Sequence, residues 1–223
     1  QTEMAMFADD LVIWHTSNST IISQRRIQED LDNLELYCSL WKLKINSTKT
    51  VYSIFTQSDK VAARNLTLTI NDITLSKDVN PVYLGVQLDQ KLSMNKHMSN
   101  VKKKATKRLN LLKRLASTTW GSDKDTLRSL YLGYIRSAMD YNIVLQNISS
   151  KSTRKNLDQV QNHALRFICG GMKTTPSAAC EIDTNDVEPL EMRREKAALE
   201  IYERSKRLET THPNRNLVDK WKS

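Results

Sequence analysis

The chain has 223 residues and a formal net charge of +9, a length that suits one or two domains with a substantial core. Its 26 % charged and 39 % hydrophobic residues argue against wholesale disorder, and no apolar run approaches the roughly eighteen residues of a membrane-spanning helix. Cys38, Cys169 and Cys180 have no CxxC spacing, which speaks against a disulfide framework or a zinc knuckle and fits a reducing, intracellular setting.

The first element is a pair of apolar runs, Met4-Ala5-Met6 and Leu11-Val12-Ile13-Trp14, on either side of Phe7-Ala8-Asp9-Asp10. The pattern predicts two strands and a tight turn. Two-residue hairpin turns favour Asn-Gly, Asp-Gly or Gly-Gly, because the central residues need positive φ. Asp-Asp fits that backbone poorly and sets two like charges side by side. A divalent cation would offset the repulsion, and adjacent carboxylates at a loop tip are good ligands for hard Mg²⁺. A solvated acidic turn is the plain alternative.

Next, Thr16, Ser17, Asn18, Ser19 and Thr20 offer N-caps for a helix. Its apolar face is Ile27, Leu31, Leu34, Cys38 and Trp41, opposite Arg25, Arg26, Glu29, Asp30 and Asp32. One or two strands are expected in residues 43–55, around a turn at 46–50. Leu66-Thr67-Leu68-Thr69-Ile70 alternates cleanly and Asn71-Asp72 leads into Ile73-Thr74-Leu75, a hairpin with one buried face. After Pro81 a further strand is expected over 82–88, with Gly85 marking a bulge or a close backbone approach. A helix interleaved with antiparallel strands predicts an α+β first domain.

Beyond residue 92 the period becomes helical and the charge changes sign. Residues 1–90 carry a net charge of −3 and residues 91–223 carry +12. From Gln90 to Ser122 there is no acidic residue, but there are Lys91, Lys96, Lys102, Lys103, Lys104, Lys107, Arg108, Lys113 and Arg114. Met94, Met98, Val101, Ala105, Leu109, Leu112 and Ala116 form one apolar helix face, so the cations fan over the other. Such a segment repels itself unless an anion is near, and a phosphate backbone is the natural partner; a solvated face or an acidic protein partner is the alternative.

Trp120-Gly121 is expected to end this helix and Ser122-x-x-Asp125 to cap the next, which Leu127, Leu130, Tyr131, Tyr134, Ala138 and Tyr141 line. These tyrosines suit a core or rim better than base stacking. A third helix is expected from about 153 to 168, stopped by Gly170-Gly171, with Pro176 and Pro189 each at a first helical position. A last helix carries Leu190, Ala197, Ile201, Tyr202, Ser205 and Leu208.

Phe7-Ala8-Asp9-Asp10 resembles the aromatic-x-Asp-Asp tetrapeptide on the palm hairpin of reverse transcriptases. Three further segments follow in that family's order. Lys44-Ile45-Asn46-Ser47-Thr48-Lys49-Thr50 looks like its Asn-x-x-Lys-Thr motif, and Tyr83-Leu84-Gly85-Val86, with Leu88-Asp89 and Leu92, looks like its primer grip. Leu157-Asp158-Gln159-Val160-Gln161-Asn162-His163-Ala164-Leu165-Arg166, then Thr174-Thr175-Pro176 and Pro189-Leu190, resemble the region after the polymerase core in non-LTR retrotransposons of the Jockey-like kind.

The resemblance implies a partial palm over 1–91, a basic helical thumb over 92–150 and a helical C-terminal extension over 151–223. It implies template-directed nucleotidyl transfer with two Mg²⁺ (or Mn²⁺) ions, an RNA template, a DNA primer and deoxynucleoside triphosphates, without a membrane. Asp9 is then a direct metal ligand, Asp10 a support for the metal site and Lys49 a general acid toward pyrophosphate. Phe7, Tyr83, Leu84 and Gly85 contact the primer–template; Lys102, Lys103, Lys104, Lys107 and Arg108 grip its backbone. The family's fingers and another metal-binding Asp precede the Asp-Asp hairpin, so a chain starting at Gln1 is expected to be a C-terminal part of a polymerase and inactive alone. The other reading is a non-catalytic remnant that keeps only a basic nucleic-acid-binding module. Nucleus or cytoplasm is the expected location of either.

Overall fold

The computed structural model describes residues 2–115, 121–185 and 187–220; Ala116 and Trp120, named above at the end of the basic helix, lie outside them. The chain divides into two compact units, Gln1–Leu92 and Ser93–Ser223.

In the first unit β1 (Thr2–Phe7) and β2 (Asp10–His15) pair antiparallel, in register from Thr2↔His15 to Phe7↔Asp10. Helix α1 (Thr20–Leu40) starts after Ser19, whose side chain makes no capping bond, and Trp41 ends it as an exposed C-cap rather than as part of the apolar face. Leu31 of α1 packs with Leu68, Ile70 and Leu75 in a small core, which Ile13, Ile27, Ile45, Tyr52 and Leu66 flank.

Short strands follow: β3 (Val51–Tyr52), then helix α2 (Asp59–Ala62), β4 (Thr69–Ile70), β5 (Ile73–Thr74), β6 (Ser76–Lys77), β7 (Val82–Tyr83) and β8 (Val86–Gln87). The β4–β5 hairpin turns at Asn71 (φ 48°) and Asp72 (φ 59°), both in the left-handed region that a type I′ turn requires. Side chains of α1 cover its edge. The Gln24 carbonyl accepts from Thr67 N–H at 3.3 Å. Gln28 accepts from Thr69 N–H at 2.9 Å and donates to Thr69 C=O at 3.0 Å, while Glu35 accepts from Asn71 N–H. A helix thus satisfies edge groups that would otherwise recruit another strand.

Within residues 43–55 the expected strand is Val51–Tyr52, after the turn at 46–50, and it pairs parallel with Ser76–Lys77. One expectation is corrected. Residues 82–88 are not one strand but a hairpin, because Leu84 (φ 46°) and Gly85 (φ 76°) both turn left-handed. The unpredicted α2 ends where Lys77 Nζ donates to the carbonyls of Ala62 and Arg64, each at 2.6 Å, a cation placed at a helix C-terminus.

In the second unit α3 (Asn95–Leu115) buries Met98, Val101, Ala105, Leu109 and Leu112 as expected, together with His97, held below the usual imidazole range by burial. Helix α4 (Lys124–Leu130) is capped by Asp123, not Ser122: its carboxylate accepts from Thr126 N–H at 2.8 Å. A π-helical turn (Tyr131–Arg136) and α5 (Ser137–Asp140) continue it. The buried line is Leu127, Tyr131, Ile135 and Met139, four residues apart throughout, while Tyr134 and Tyr141 are exposed. That spacing would drift round an α-helix; the wider π turn keeps it on the core.

A 3-10 segment (Ile143–Ile148) leads to α6 (Lys151–Ile168), where Ser150 Oγ accepts from Thr153 N–H at 3.2 Å. Helix α6 ends in a Schellman turn. Gly170 lies at φ 65°, its N–H reaches Phe167 C=O, and Gly171 N–H reaches Arg166 C=O at 2.7 Å. Then come α7 (Ser177–Asp183), α8 (Leu190–Lys206) and the unpredicted α9 (Pro213–Lys220). Pro176 and Pro189 sit at the N-caps of α7 and α8, one residue earlier than expected. Residues of α3, α4, the π turn, α6, α7 and α8 share one core, but Ile201 of α8 is exposed.

Candidate catalytic hairpin and nucleic-acid interface

The β1–β2 register makes Phe7 and Asp10 the closing pair, so the turn consists of Ala8 and Asp9 rather than of the two aspartates. Only Ala8 is left-handed, at φ 53°, a region glycine occupies without strain. Asp9 and Asp10 are both exposed, as is the neighbouring Phe7. Among the described residues no group of three or more His, Cys, Asp or Glu side chains that could hold a metal is present. Two adjacent exposed carboxylates nevertheless match what Mg²⁺ accepts, one or two carboxylates with the remaining positions left to water and substrate phosphates.

The other sequence-derived residues of this unit lie on separate turns. Asn46 builds one of them: its Oδ1 accepts from Thr48 Oγ1 at 2.8 Å and from Lys49 N–H at 3.2 Å, and its carbonyl accepts from Thr50 N–H at 3.1 Å. The result is an Asx-turn that leaves Lys49 exposed. Leu84 and Gly85 are the tip of the β7–β8 hairpin, with Tyr83 half-buried at its base.

On α3, Lys103, Lys104 and Lys107 are exposed, while Lys102 and Arg108 are engaged within the unit. Lys102 Nζ donates to Asn156 Oδ1 at 3.3 Å. The Arg108 guanidinium lies 4.3 Å from the Tyr134 ring centroid and donates to the Tyr134 carbonyl. Lys96, Lys113 and Arg114 extend the cationic surface along the same helix.

The sequence reading missed a buried polar network. Arg194 donates through Nη1 to Asp158 Oδ1 at 2.8 Å and through Nη2 to Oδ2 at 3.2 Å. Arg193 pairs with Asp140 and donates to Gln161 Oε1 at 3.4 Å, which also accepts from Tyr131 Oη at 3.1 Å. Burial pushes the Tyr131 phenol up to about 12 and, with Arg136 nearby, pulls the Arg193 guanidinium down to about 10. Asp158 and Gln161 both belong to the 157–166 segment, so part of that motif joins α6 to α8. The available signal was a carboxylate and an amide within an otherwise apolar helix face.

Comparison with known proteins agrees with the resemblance. The chain is 26 % identical over 165 residues to the probable RNA-directed DNA polymerase from transposon BS of Drosophila melanogaster, covering 74 % of this chain and 18 % of that protein. It is 24 % identical to the RNA-directed DNA polymerase from mobile element jockey of Drosophila funebris, over 75 % of this chain and 18 % of that protein. A retrovirus-related Pol polyprotein from the type-1 retrotransposable element R1 4 of Nasonia vitripennis is 25 % identical over 191 residues, 78 % of this chain and 48 % of that protein. No family profile and no solved structure matches the chain. The chain therefore spans about a fifth of the transposon BS and jockey proteins. Along some three quarters of its length it is similar to the RNA-directed DNA polymerases of transposon BS and mobile element jockey and to the Pol polyprotein of a type-1 retrotransposable element.

Proposed function

We propose that this chain is part of an RNA-directed DNA polymerase of a non-LTR retrotransposon, contributing part of a palm in its first unit and a thumb with a C-terminal extension in its second. The observation that carries the reading is the exposed Asp9–Asp10 pair on a tight hairpin with Ala8 in a left-handed conformation. The turn sets two carboxylates side by side in the open at the end of the hairpin, and a divalent cation is what offsets that repulsion.

The reaction is attack by a primer 3′-hydroxyl on a deoxynucleoside triphosphate, templated by RNA, with release of pyrophosphate. Asp9 would hold a divalent ion, Mg²⁺ or Mn²⁺, directly, and Asp10 would support it. When bound there, such metal supplies the positive charge that activates the hydroxyl and steadies the leaving group. Lys49, presented by the Asn46 turn, would hand a proton to pyrophosphate. Tyr83, Leu84 and Gly85 would seat the primer terminus, with Phe7 beside it. Lys102, Lys103, Lys104, Lys107 and Arg108 would grip phosphates without reading sequence.

The test is primer extension on an RNA template by a polymerase carrying this chain with its upstream palm and fingers. Activity is expected, and Asp9→Ala abolishes it while template–primer affinity stays unchanged. Retained extension in Asp9→Ala defeats the assignment.

A second reading is favoured by the placement of the basic helix in a compact unit with a core of its own: nucleic-acid binding without catalysis. Binding of the 223-residue chain to RNA–DNA duplex should fall with salt at a log–log slope of about −4 if about five phosphates are engaged. Changing Lys102, Lys103, Lys104, Lys107 and Arg108 together to Gln should flatten that slope. An unchanged slope would make this face a solvated surface and defeat both readings of the helix.

A further inference from the structure

The π turn does more than keep Ile135 and Met139 on the core. It sends Tyr131 inward, fully buried, and leaves Tyr134, three residues on, 47 % exposed. Over that ring lies the Arg108 guanidinium, 4.3 Å from the centroid, held also by its bond to the Tyr134 carbonyl. Two contacts fix one cation to one aromatic ring at the surface. Lys104, one helical turn before Arg108, and Lys107 are exposed beside it, and α3 contains no acidic residue.

Gly133 adds an independent observation. A Cβ built there would meet nothing within 4 Å, so internal packing does not demand glycine, although glycine inside a helix destabilises it relative to alanine. The effect is a bare stretch of backbone next to Tyr134, where a flat ligand can approach.

We propose that Tyr134 and Arg108 form a stacking platform for the bases of single-stranded nucleic acid, flanked by phosphate contacts from Lys104 and Lys107. This rests on the nucleic-acid reading given above and deepens it. A guanidinium over a phenol ring offers two kinds of surface on which a base stacks, and lysines a few ångströms along follow the backbone. Bases within a duplex are already stacked on one another and present no free face. Unpaired nucleotides are therefore the class the platform selects, and the sugar is not: single-stranded RNA and DNA share the required ring faces.

The experiment measures anisotropy of fluorescein-labelled 12-mer single-stranded RNA, the same DNA sequence and a blunt RNA–DNA duplex with the 223-residue chain across a salt series. Tyr134→Ala is expected to weaken both single strands about 5- to 150-fold, the range of one lost stacking contact, with an unchanged salt slope and unchanged duplex affinity. Tyr134→Phe should bind as the parent does. Lys104→Gln with Lys107→Gln should make the slope shallower by about 2 on the duplex and about 1.4 on each single strand. A 2′-hydroxyl contribution would separate RNA from DNA in the parent and in every variant alike.

Equal single-strand affinity for Tyr134→Ala and the parent overturns the platform while leaving the phosphate reading intact. Failure of the parent to bind any probe overturns both. Should Tyr134→Ala unfold by circular dichroism, photocrosslinking of the unaltered protein to a 5-iodouracil oligonucleotide decides. An adduct on the peptide containing Tyr134 is expected, and adducts confined to other peptides overturn the proposal.

Discussion

Arg194 has a side chain only 4 % exposed, and Asp158, which neutralises it, is 32 % exposed. A buried cation is tolerated while its partner stays and becomes costly once the partner goes. Asp158→Ala should therefore lower unfolding free energy in urea by about 3 kcal/mol or more. The double variant Asp158→Leu, Arg194→Met should regain most of that loss, because an apolar pair of similar volume needs no desolvation. A double variant no more stable than Asp158→Ala would show that the loss does not come from a stranded buried cation. Arg193 and Arg194 were invisible beforehand because arginine on a helix is usually at the surface. Asp9 was legible for the opposite reason: two carboxylates between apolar runs have no packing role to play. Even there, the sequence suggested Asp-Asp as the turn, and only the strand register shows that Ala8 takes the left-handed position.

Among the elements, α3 was the most legible, since its apolar residues keep a 3.6-residue period for 21 residues. The helix after it was misread because a π turn alters the period locally, so Ile135 and Met139 replace Ala138 and Tyr141 on the core side. Residues 82–88 were misread because leucine is an unusual choice for positive φ, and nothing in its type announces a turn at Leu84. The N-cap of α4 offers a sharp test. Hydrogen bonds from Thr126 N–H and Oγ1 hold the Asp123 carboxyl below its ordinary range. A depressed carboxylate contributes stability in full above its unfolded value and loses it as pH falls through the folded one. Asp123→Ala should thus lower the melting temperature at neutral pH, and the deficit should shrink as the solution is taken below about pH 4. A deficit that persists unchanged in acid would mean the hydrogen bonds do not depend on the charge.

At the scale of the whole molecule, the two units differ in how much apolar surface they hide. Among the described residues, the second has seventeen in one buried cluster; the first has four, Leu31, Leu68, Ile70 and Leu75, with Cys38, Ala62 and Val86 buried outside that cluster. Met4, Met6 and Phe7 on the first hairpin, and Leu36, Tyr37, Leu40 and Trp41 at the end of α1, are exposed. A core so much smaller offsets far less of the conformational entropy of some ninety residues. Expressed alone, residues 93–223 should unfold in one cooperative thermal transition, whereas residues 1–92 should bind a hydrophobic dye and show none. A sharp transition in the shorter piece would contradict this account. The chain changes period and charge sign near residue 92, whereas the weakness of the first unit does not show in the sequence, because each of its apolar runs looks like core when read alone.

The π turn also changes how the chain counts. It holds one residue more than an α-helical turn, so what lies downstream keeps its facing instead of rotating. Removing Gly133 would reset Leu127, Tyr131, Ile135 and Met139 to steps of four, three and four, the stride of an unbroken α-helix. Such a one-residue deletion should fold with little change in melting temperature, whereas deleting Gln159 from the middle of α6 should swing Ala164 and Leu165 off the core by about 100° and abolish folding.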